Sequence, residues 1–138
     1  MRGYSLIELL IALAITAGLG ALSMPLFKQQ TESLLLQQAG SRWLSYLHQV
    51  KAKAQRAEDN IMADLVPLEG RSNVFGMATE STYSSTSPLI FYGDSGGAAP
   101  GHIRAMNENN TVKVIISSKG RVRSCVSHGP ALPGLPLC

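Results

Sequence analysis

The sequence predicts an α+β fold in which one long N-terminal α-helix packs on a small antiparallel β-sheet. Three observations predict it. An apolar run opens the chain, an amphipathic stretch with helical periodicity continues it, and short β-type segments separated by turn residues make up the rest. A long helix followed by short strands is typical of α+β proteins. The 138 residues leave room for one domain beyond the helix.

The apolar run extends from Leu9 to Phe27 and contains no charged residue. About 19 residues give roughly 28 Å of helix, close to the thickness of one bilayer core. Glu8 directly precedes the run, where a lone carboxylate in lipid costs about 3 kcal/mol. Three interpretations compete. A cleaved secretory signal would have a more basic start than Met1-Arg2, and an ordinary membrane anchor does not account for Glu8. The third interpretation is a signal whose Glu8 forms an ion pair with a cationic group of another copy of the chain.

The motif Gly3-Tyr4-Ser5-Leu6-Ile7-Glu8 resembles the processing signal of type IV pilins and pseudopilins. The resemblance implies that a prepilin peptidase cuts after Gly3 and methylates the amine of Tyr4. Glu8 would then pair with the N-terminal amine of a neighbouring subunit during filament assembly. Two details depart from the commonest pattern: the first mature residue is Tyr4 rather than Phe, and the leader is very short.

From Lys28 onward the helical pattern becomes amphipathic. One stripe of small and apolar residues repeats at heptad spacing: Leu36, Gly40, Trp43, Leu47, Val50, Ala54 and Ala57. Such a stripe predicts the face that packs on the globular domain. The opposite face carries Gln38, Arg42, Gln49, Lys53 and Arg56. Pro25 predicts a kink or local melting, because proline removes a backbone hydrogen bond and clashes with the preceding turn.

The chain therefore divides into four predicted segments: a leader at 1–3, a transmembrane and filament-core helix segment at 4–27, an amphipathic helix half at 28–58, and a β-rich domain at 59–138. The candidate strands are Ile61–Leu68, Asn73–Ala78, Leu89–Tyr92, His102–Met106, Thr111–Ser117 and Arg121–Val126. The low-complexity stretch Thr79–Ser87 predicts a mobile surface loop.

Two cysteines, Cys125 and Cys138, flank a segment rich in proline and glycine. An even cysteine count in a chain that leaves the cytoplasm favours a disulfide. Closing a loop of this length would stabilise the fold by about 3 kcal/mol in the chain-entropy model. The alternative is two free thiols.

The stretch Gly93-Asp94-Ser95-Gly96-Gly97 matches the sequence around the nucleophile of chymotrypsin-like serine proteases. That chemistry needs a histidine base and a buried aspartate on a fold of two β-barrels, for which the remaining chain is too short. We therefore interpret Gly93–Gly101 as a flexible hairpin loop. The loop lacks the ending of a phosphate loop, and the histidines, cysteines and acids show no metal-ligand spacing. We expect no enzyme activity, no metal and no cofactor.

Charge is unevenly distributed along the chain. Six acids lie between positions 58 and 94 against Arg71 alone, whereas five bases lie from position 103 onward against Glu108 alone. A basic C-terminal third indicates either an anionic partner or merely solvated surface. The sequence leaves open whether Arg104 and Lys113 belong to such a binding face.

The segment Lys119-Gly120-Arg121-Val122-Arg123 concentrates this charge. In an extended strand Arg121 and Arg123 point the same way, about 7 Å apart, which matches successive phosphates of a nucleic-acid strand. Gly120 permits a turn that would place Lys119 beside them. From the residues alone, phosphate binding and a charged, solvated sheet edge are equally good interpretations.

The N-terminal motif, the helix, the β-rich body and this last strand together resemble the FimT/GspH family of minor pilins and pseudopilins. FimT-like members that serve natural transformation have a Gly-Arg-x-Arg motif that binds DNA, and Gly120, Arg121 and Arg123 match it. The resemblance implies a pilin-like fold and a minor pilin that binds extracellular DNA without sequence preference, with Lys119 beside the motif.

Its partners would be DNA, other pilin subunits, a prepilin peptidase and the bacterial inner membrane. The C-terminal domain would lie in the periplasm and, after assembly, in a pilus at the cell surface. The alternative is a structural minor pilin or type II secretion pseudopilin that primes or caps filament assembly.

Overall fold

The computed structural model describes residues 3–66 and 77–138 and has the predicted α+β architecture. The elements in chain order are α1 Leu6–Ala57, β1 Ile61–Met62, β2 Ala78–Ser81, β3 Ile90–Phe91, β4 Gly101–Met106, β5 Thr111–Ile116 and β6 Val122–His128. Strands β2, β4, β5 and β6 form an antiparallel sheet in the order β2-β4-β5-β6, and β1 pairs with β3 in a separate two-stranded sheet. The chain divides into two compact units, one up to Glu32 and one from Ser33 to Cys138.

The first unit consists mainly of the apolar part of α1. Its large side chains between Leu6 and Phe27 are exposed, and the helix is long and apolar enough to cross a membrane by length and composition. The hydroxyls of Thr16 and Ser23 donate to carbonyl oxygens one turn earlier, at 3.0 and 2.8 Å, so these polar groups are satisfied inside the apolar run. The helix continues through Pro25, so of the two predicted outcomes, a kink or local melting, the structure shows no melting.

In the second unit, one face of α1 packs on the sheets. Its buried residues are Leu36, Gly40, Trp43, Leu47, Val50 and Ala54. The predicted stripe is confirmed except at Ala57, which is exposed where the helix ends. Gly40 permits a close approach, because a Cβ there would lie 3.0 Å from Cγ1 of Val112. The inward-facing strand residues Ile103, Val114, Ile116 and Val122 share one core with Trp43 and Leu47.

The C-terminal end of α1 has a defined cap. Glu58 adopts a positive φ of 51°, and the N–H of Asp59 donates to the carbonyl of Ala54 at 3.3 Å, which is the hydrogen bond of a Schellman motif. Gly93 lies against this cap, because a Cβ there would sit 2.5 Å from the Ala54 oxygen. The backbone at Gly93 therefore leaves no room for a side chain beside the last turn of the helix.

The strands depart from prediction mainly in the middle of the chain. The strand predicted at Ile61–Leu68 stops at Met62, with positions 67 and 68 outside the described residues. Most of the strand predicted at Asn73–Ala78 also lies outside them, and β2 begins at Ala78. The loop prediction for Thr79–Ser87 is wrong over residues 79–81, which pair with β4. Pairing with β4 satisfies the backbone N–H and C=O groups of these residues, as solvent would in a loop. Amino-acid composition does not reveal such a pairing.

The second core lies under the C-terminal tail. Cys125 and Cys138 form a disulfide with an S–S distance of 2.01 Å, as predicted. The tail follows the outer edge of β6: the N–H of Val126 donates to the carbonyl of Pro136 at 2.8 Å, and the N–H of Cys138 donates to the carbonyl of Val126 at 3.0 Å. Leu132 and Leu135 are buried in this core. The disulfide thus closes a small apolar layer over the sheet.

Candidate nucleic-acid interface

Strands β5 and β6 are joined by a tight turn at residues 117–121; β5, this turn and β6 together are called the basic hairpin below. The N–H of Gly120 donates to the carbonyl of Ser117 at 2.9 Å, and the N–H of Ser117 donates to the carbonyl of Arg121 at 3.0 Å. Gly120 has a φ of 73°, which glycine adopts without the steric cost of a Cβ. The turn predicted at Gly120 is confirmed.

The cationic side chains of this turn face solvent. Lys119, Arg121 and Arg123 are exposed, whereas Val122 between the two arginines is 8% exposed and belongs to the core. Alternation along β6 accounts for Val122 and Arg123, because neighbouring residues of a strand point to opposite faces. The strand predicted at Arg121–Val126 begins at Val122 in the structure, so Arg121 lies in the turn. The structure therefore places three positive side chains within five consecutive residues and directs all three outward.

The turn is supported on one side by the stretch that resembles a protease nucleophile. A Cβ at Gly120 would overlap the carbonyl oxygen of Gly96, and the N–H of Ala98 donates to the carbonyl of Ser118 at 3.2 Å. The 93–97 stretch is a hairpin turn, closed by the N–H of Tyr92 donating to the carbonyl of Gly97 at 2.9 Å. The hydroxyl of Ser95 accepts the N–H of Gly97 at 3.3 Å. Its glycines thus let two turns pack backbone to backbone.

Helix α1 supports the turn from a second side. The ammonium of Lys51 donates to the carbonyl of Gly120 at 2.8 Å. Between the helix and the hairpin lies a groove of about 620 Å³, lined by His48, Lys51, Ser117, Lys119, Arg121 and Val122 and called the helix–hairpin groove below. Sequence reasoning missed His48 and Lys51, because a single cation on a helix gives no signal of which distant turn it meets.

The outer face of the four-stranded sheet carries Arg104 and Lys113, the other two bases of the C-terminal third. The register sets Arg104 opposite Lys113 on one side and opposite Glu80 on the other. Arg104 forms an ion pair with Glu80 at 2.8 Å, so part of this charge is neutralised locally. A cleft of about 290 Å³ on this face includes both partners of that pair.

His102 reports the electrostatics of this face. Burial lowers the pKa of His102, and the positive charges of Lys113 and Arg104 lower it further. Both cations therefore lie near His102 on this face, whose cleft also contains the carboxylate of Glu80.

The N-terminal motif forms a helix cap. The carboxylate of Glu8 accepts the backbone N–H of Ser5 at 3.1 Å, and the N–H of Glu8 donates to the carbonyl of Ser5 at 3.0 Å. This is half of a capping box, whose sequence signature of serine followed three residues later by glutamate was present in the chain. Gly3 and Tyr4 precede the helix and are exposed. The predicted cleavage position thus lies in accessible, non-helical chain.

Within residues 3–66 and 77–138, no group of three or more histidine, cysteine, aspartate or glutamate side chains is placed to hold a metal ion. Comparison with family models, curated proteins and solved structures finds no match for this chain.

Proposed function

We propose that this protein is a minor type IV pilin of the FimT type that binds extracellular DNA for uptake in natural transformation. The observation that carries the proposal is the turn of the basic hairpin. It presents Lys119, Arg121 and Arg123 to solvent from a backbone that packs against Gly96 and is hydrogen-bonded to Lys51. Because the backbone of the turn is held before binding, less backbone entropy is lost when these side chains meet phosphates.

The binding is electrostatic and independent of sequence. Arginine and lysine contacts to phosphate oxygens position a protein on DNA without reading base edges. Each phosphate contact releases condensed counterions, so the three cations of the turn give a slope of log K against log salt of about −2.7. A single protomer therefore binds weakly at physiological salt.

The N-terminal unit supports the pilin part of the proposal. Its apolar side chains are exposed over the length of helix that a bilayer or a bundle of neighbouring helices would cover. The carboxylate of Glu8 lies at the start of this helix and is exposed. In a filament this carboxylate would form an ion pair with the N-terminal amine of Tyr4 in a neighbouring subunit.

The test is DNA binding by the full-length protein in nonionic detergent. We expect Arg121→Gln combined with Arg123→Gln to abolish the shift of labelled DNA and to lower transformation in cells. The matched control is Arg42→Gln combined with Arg56→Gln, because both arginines are exposed on α1 and the change in net charge is the same. Equal binding by the two double variants would remove the DNA-binding proposal and leave the pilin proposal standing.

The second candidate function is a structural minor pilin or type II secretion pseudopilin. The exposed apolar helix with its N-terminal Glu8 favours it, because filament assembly requires these features and does not require the basic hairpin. Deletion of the gene distinguishes the two. Loss of piliation or secretion with unchanged transformation would support the structural role.

A further inference from the structure

We infer that the DNA backbone lies in the helix–hairpin groove and that Lys51 of helix α1 contacts a phosphate there directly. This inference rests on the proposed DNA binding and extends the interface from the hairpin to the helix. The groove brings the ammonium of Lys51 and the imidazole of His48 to the same surface as Lys119 and Arg121. These residues are far apart in sequence and meet only through the fold.

The charge of the groove favours a polyanion. The described residues that line it include two lysines, one arginine and one histidine, and none of them is acidic. The cleft on the outer face of the sheet differs, because it includes the carboxylate of Glu80 paired with Arg104. A phosphate entering that cleft would meet a like charge, whereas a phosphate entering the groove would not.

Lys51 has donors to spare for this contact. An ammonium group carries three N–H donors, and the carbonyl of Gly120 accepts one of them at 2.8 Å. That hydrogen bond fixes the position of the nitrogen at the wall of the groove. The other two donors are then available to phosphate oxygens beside Arg121.

The helix offers matched control positions. At 100° per residue, Lys51 and Lys53 lie on opposite flanks of the buried stripe, and only Lys51 lines the groove. Replacing either lysine by glutamine changes the net charge by the same amount. His48 and Gln49 are adjacent and both exposed, and only His48 lines the groove. A lysine at either position adds the same charge.

The experiment measures the affinity of full-length protein in nonionic detergent for a short fluorescent DNA duplex as a function of salt. With Lys51 as a fourth contact, we expect a wild-type slope of about −3.6 rather than about −2.7. Lys51→Gln should make the slope shallower by about 0.9 and His48→Lys should make it steeper by about 0.9, while Lys53→Gln and Gln49→Lys leave it unchanged.

A purely positioning role for Lys51 is separated by the slope itself. If Lys51 acted only by holding the turn, Lys51→Gln would lower the affinity at every salt concentration and leave the slope unchanged, because the number of contacted phosphates would be the same. We expect instead a slope shallower by about 0.9, in the wild type and in the Arg121→Gln background alike. If Lys51→Gln and Lys53→Gln change the salt slope equally while DNA binding still requires Arg121 and Arg123, the groove inference is overturned and the proposed function stands. Absence of DNA binding by the wild type would overturn the proposed function with it.

Discussion

Gly120 lies so close to Gly96 that a Cβ at position 120 would overlap the carbonyl oxygen of Gly96. The contact joins the turn of the basic hairpin to the 93–97 turn and leaves no room for a side chain. The positive φ of 73° at Gly120 adds a second requirement for glycine. The conformation and the packing of this one residue therefore determine where the neighbouring cations lie.

The first prediction concerns Gly120→Ala. A left-handed conformation costs a non-glycine residue about 1–2 kcal/mol, and the overlap with Gly96 adds to that cost. We expect a lower melting temperature and weaker DNA binding. Gly134→Ala is the control, because Gly134 has a φ of 76° but a Cβ there would lie 3.6 Å from its nearest neighbour, Nε2 of Gln37. Equal destabilisation by the two variants in thermal melts would contradict the role given to the Gly96 contact.

The second prediction concerns the disulfide. Cys125→Ser combined with Cys138→Ser should lower the free energy of unfolding by about 3 kcal/mol, because the unfolded chain loses a loop constraint. DNA binding measured well below the new melting temperature should be unchanged, since the turn at residues 117–121 is held by other contacts. Denaturant titrations with and without a reducing agent measure the effect. The wild type should lose stability on reduction, and the double variant should not respond.

The third prediction separates two roles of Glu8. As a helix cap, Glu8 accepts the N–H of Ser5, and glutamine can replace glutamate in a capping box. As the partner of a neighbouring amine, Glu8 must carry a negative charge. We expect both Glu8→Gln and Glu8→Ala to be excluded from filaments, as measured by their fraction in sheared pili. Normal incorporation of Glu8→Gln would reduce Glu8 to a cap.

The fourth prediction concerns His102. The pKa of His102 in the folded protein lies below the usual value of 6.5, first because of burial and further because of the charges of Lys113 and Arg104. Lys113→Gln should raise the pKa of His102 in an NMR titration, whereas Lys53→Gln on helix α1 should leave it in place. No change with Lys113→Gln would contradict the electrostatic cause.

The same shift has a consequence for stability. Below pH 6.5 the unfolded chain binds a proton at position 102 more readily than the folded chain does, so the free energy of unfolding falls as the pH falls through that range. Above pH 6.5 both states are largely neutral there and the effect disappears. His102→Gln should flatten this part of the pH dependence in urea denaturation, and an equally steep decline in the variant would assign the effect to other groups.

The sequence predicts the helix well and the middle of the chain poorly. The stripe from Leu36 to Ala54 repeats with the helical period, so its burial follows from local pattern. Strand β2 lies in a serine- and threonine-rich stretch whose pairing with β4 depends on residues about 25 positions away, as in the register Glu80–Arg104. Composition carries no signal of such a pairing.

The candidate site divides in the same way. Alternation around Val122 predicts that Arg121 and Arg123 are exposed, and both are, although Arg121 lies in the turn before β6 rather than in the strand. The hydrogen bond from Lys51 to Gly120 joins residues 69 positions apart, and no periodicity encodes it. Ser5 and Glu8 carry a local signature of a helix cap, and the structure shows the hydrogen bond from the N–H of Ser5 to the carboxylate of Glu8.

The C-terminal tail that pairs with Val126 has a further consequence for contacts between copies of this protein. An uncovered edge strand offers unpaired N–H and C=O groups with which a strand of a second molecule can pair. The carbonyl of Pro136 and the N–H of Cys138 pair with the N–H and C=O of Val126 in β6, and the disulfide anchors Cys138 beside the strand. A second copy therefore cannot extend the sheet by backbone pairing at Val126.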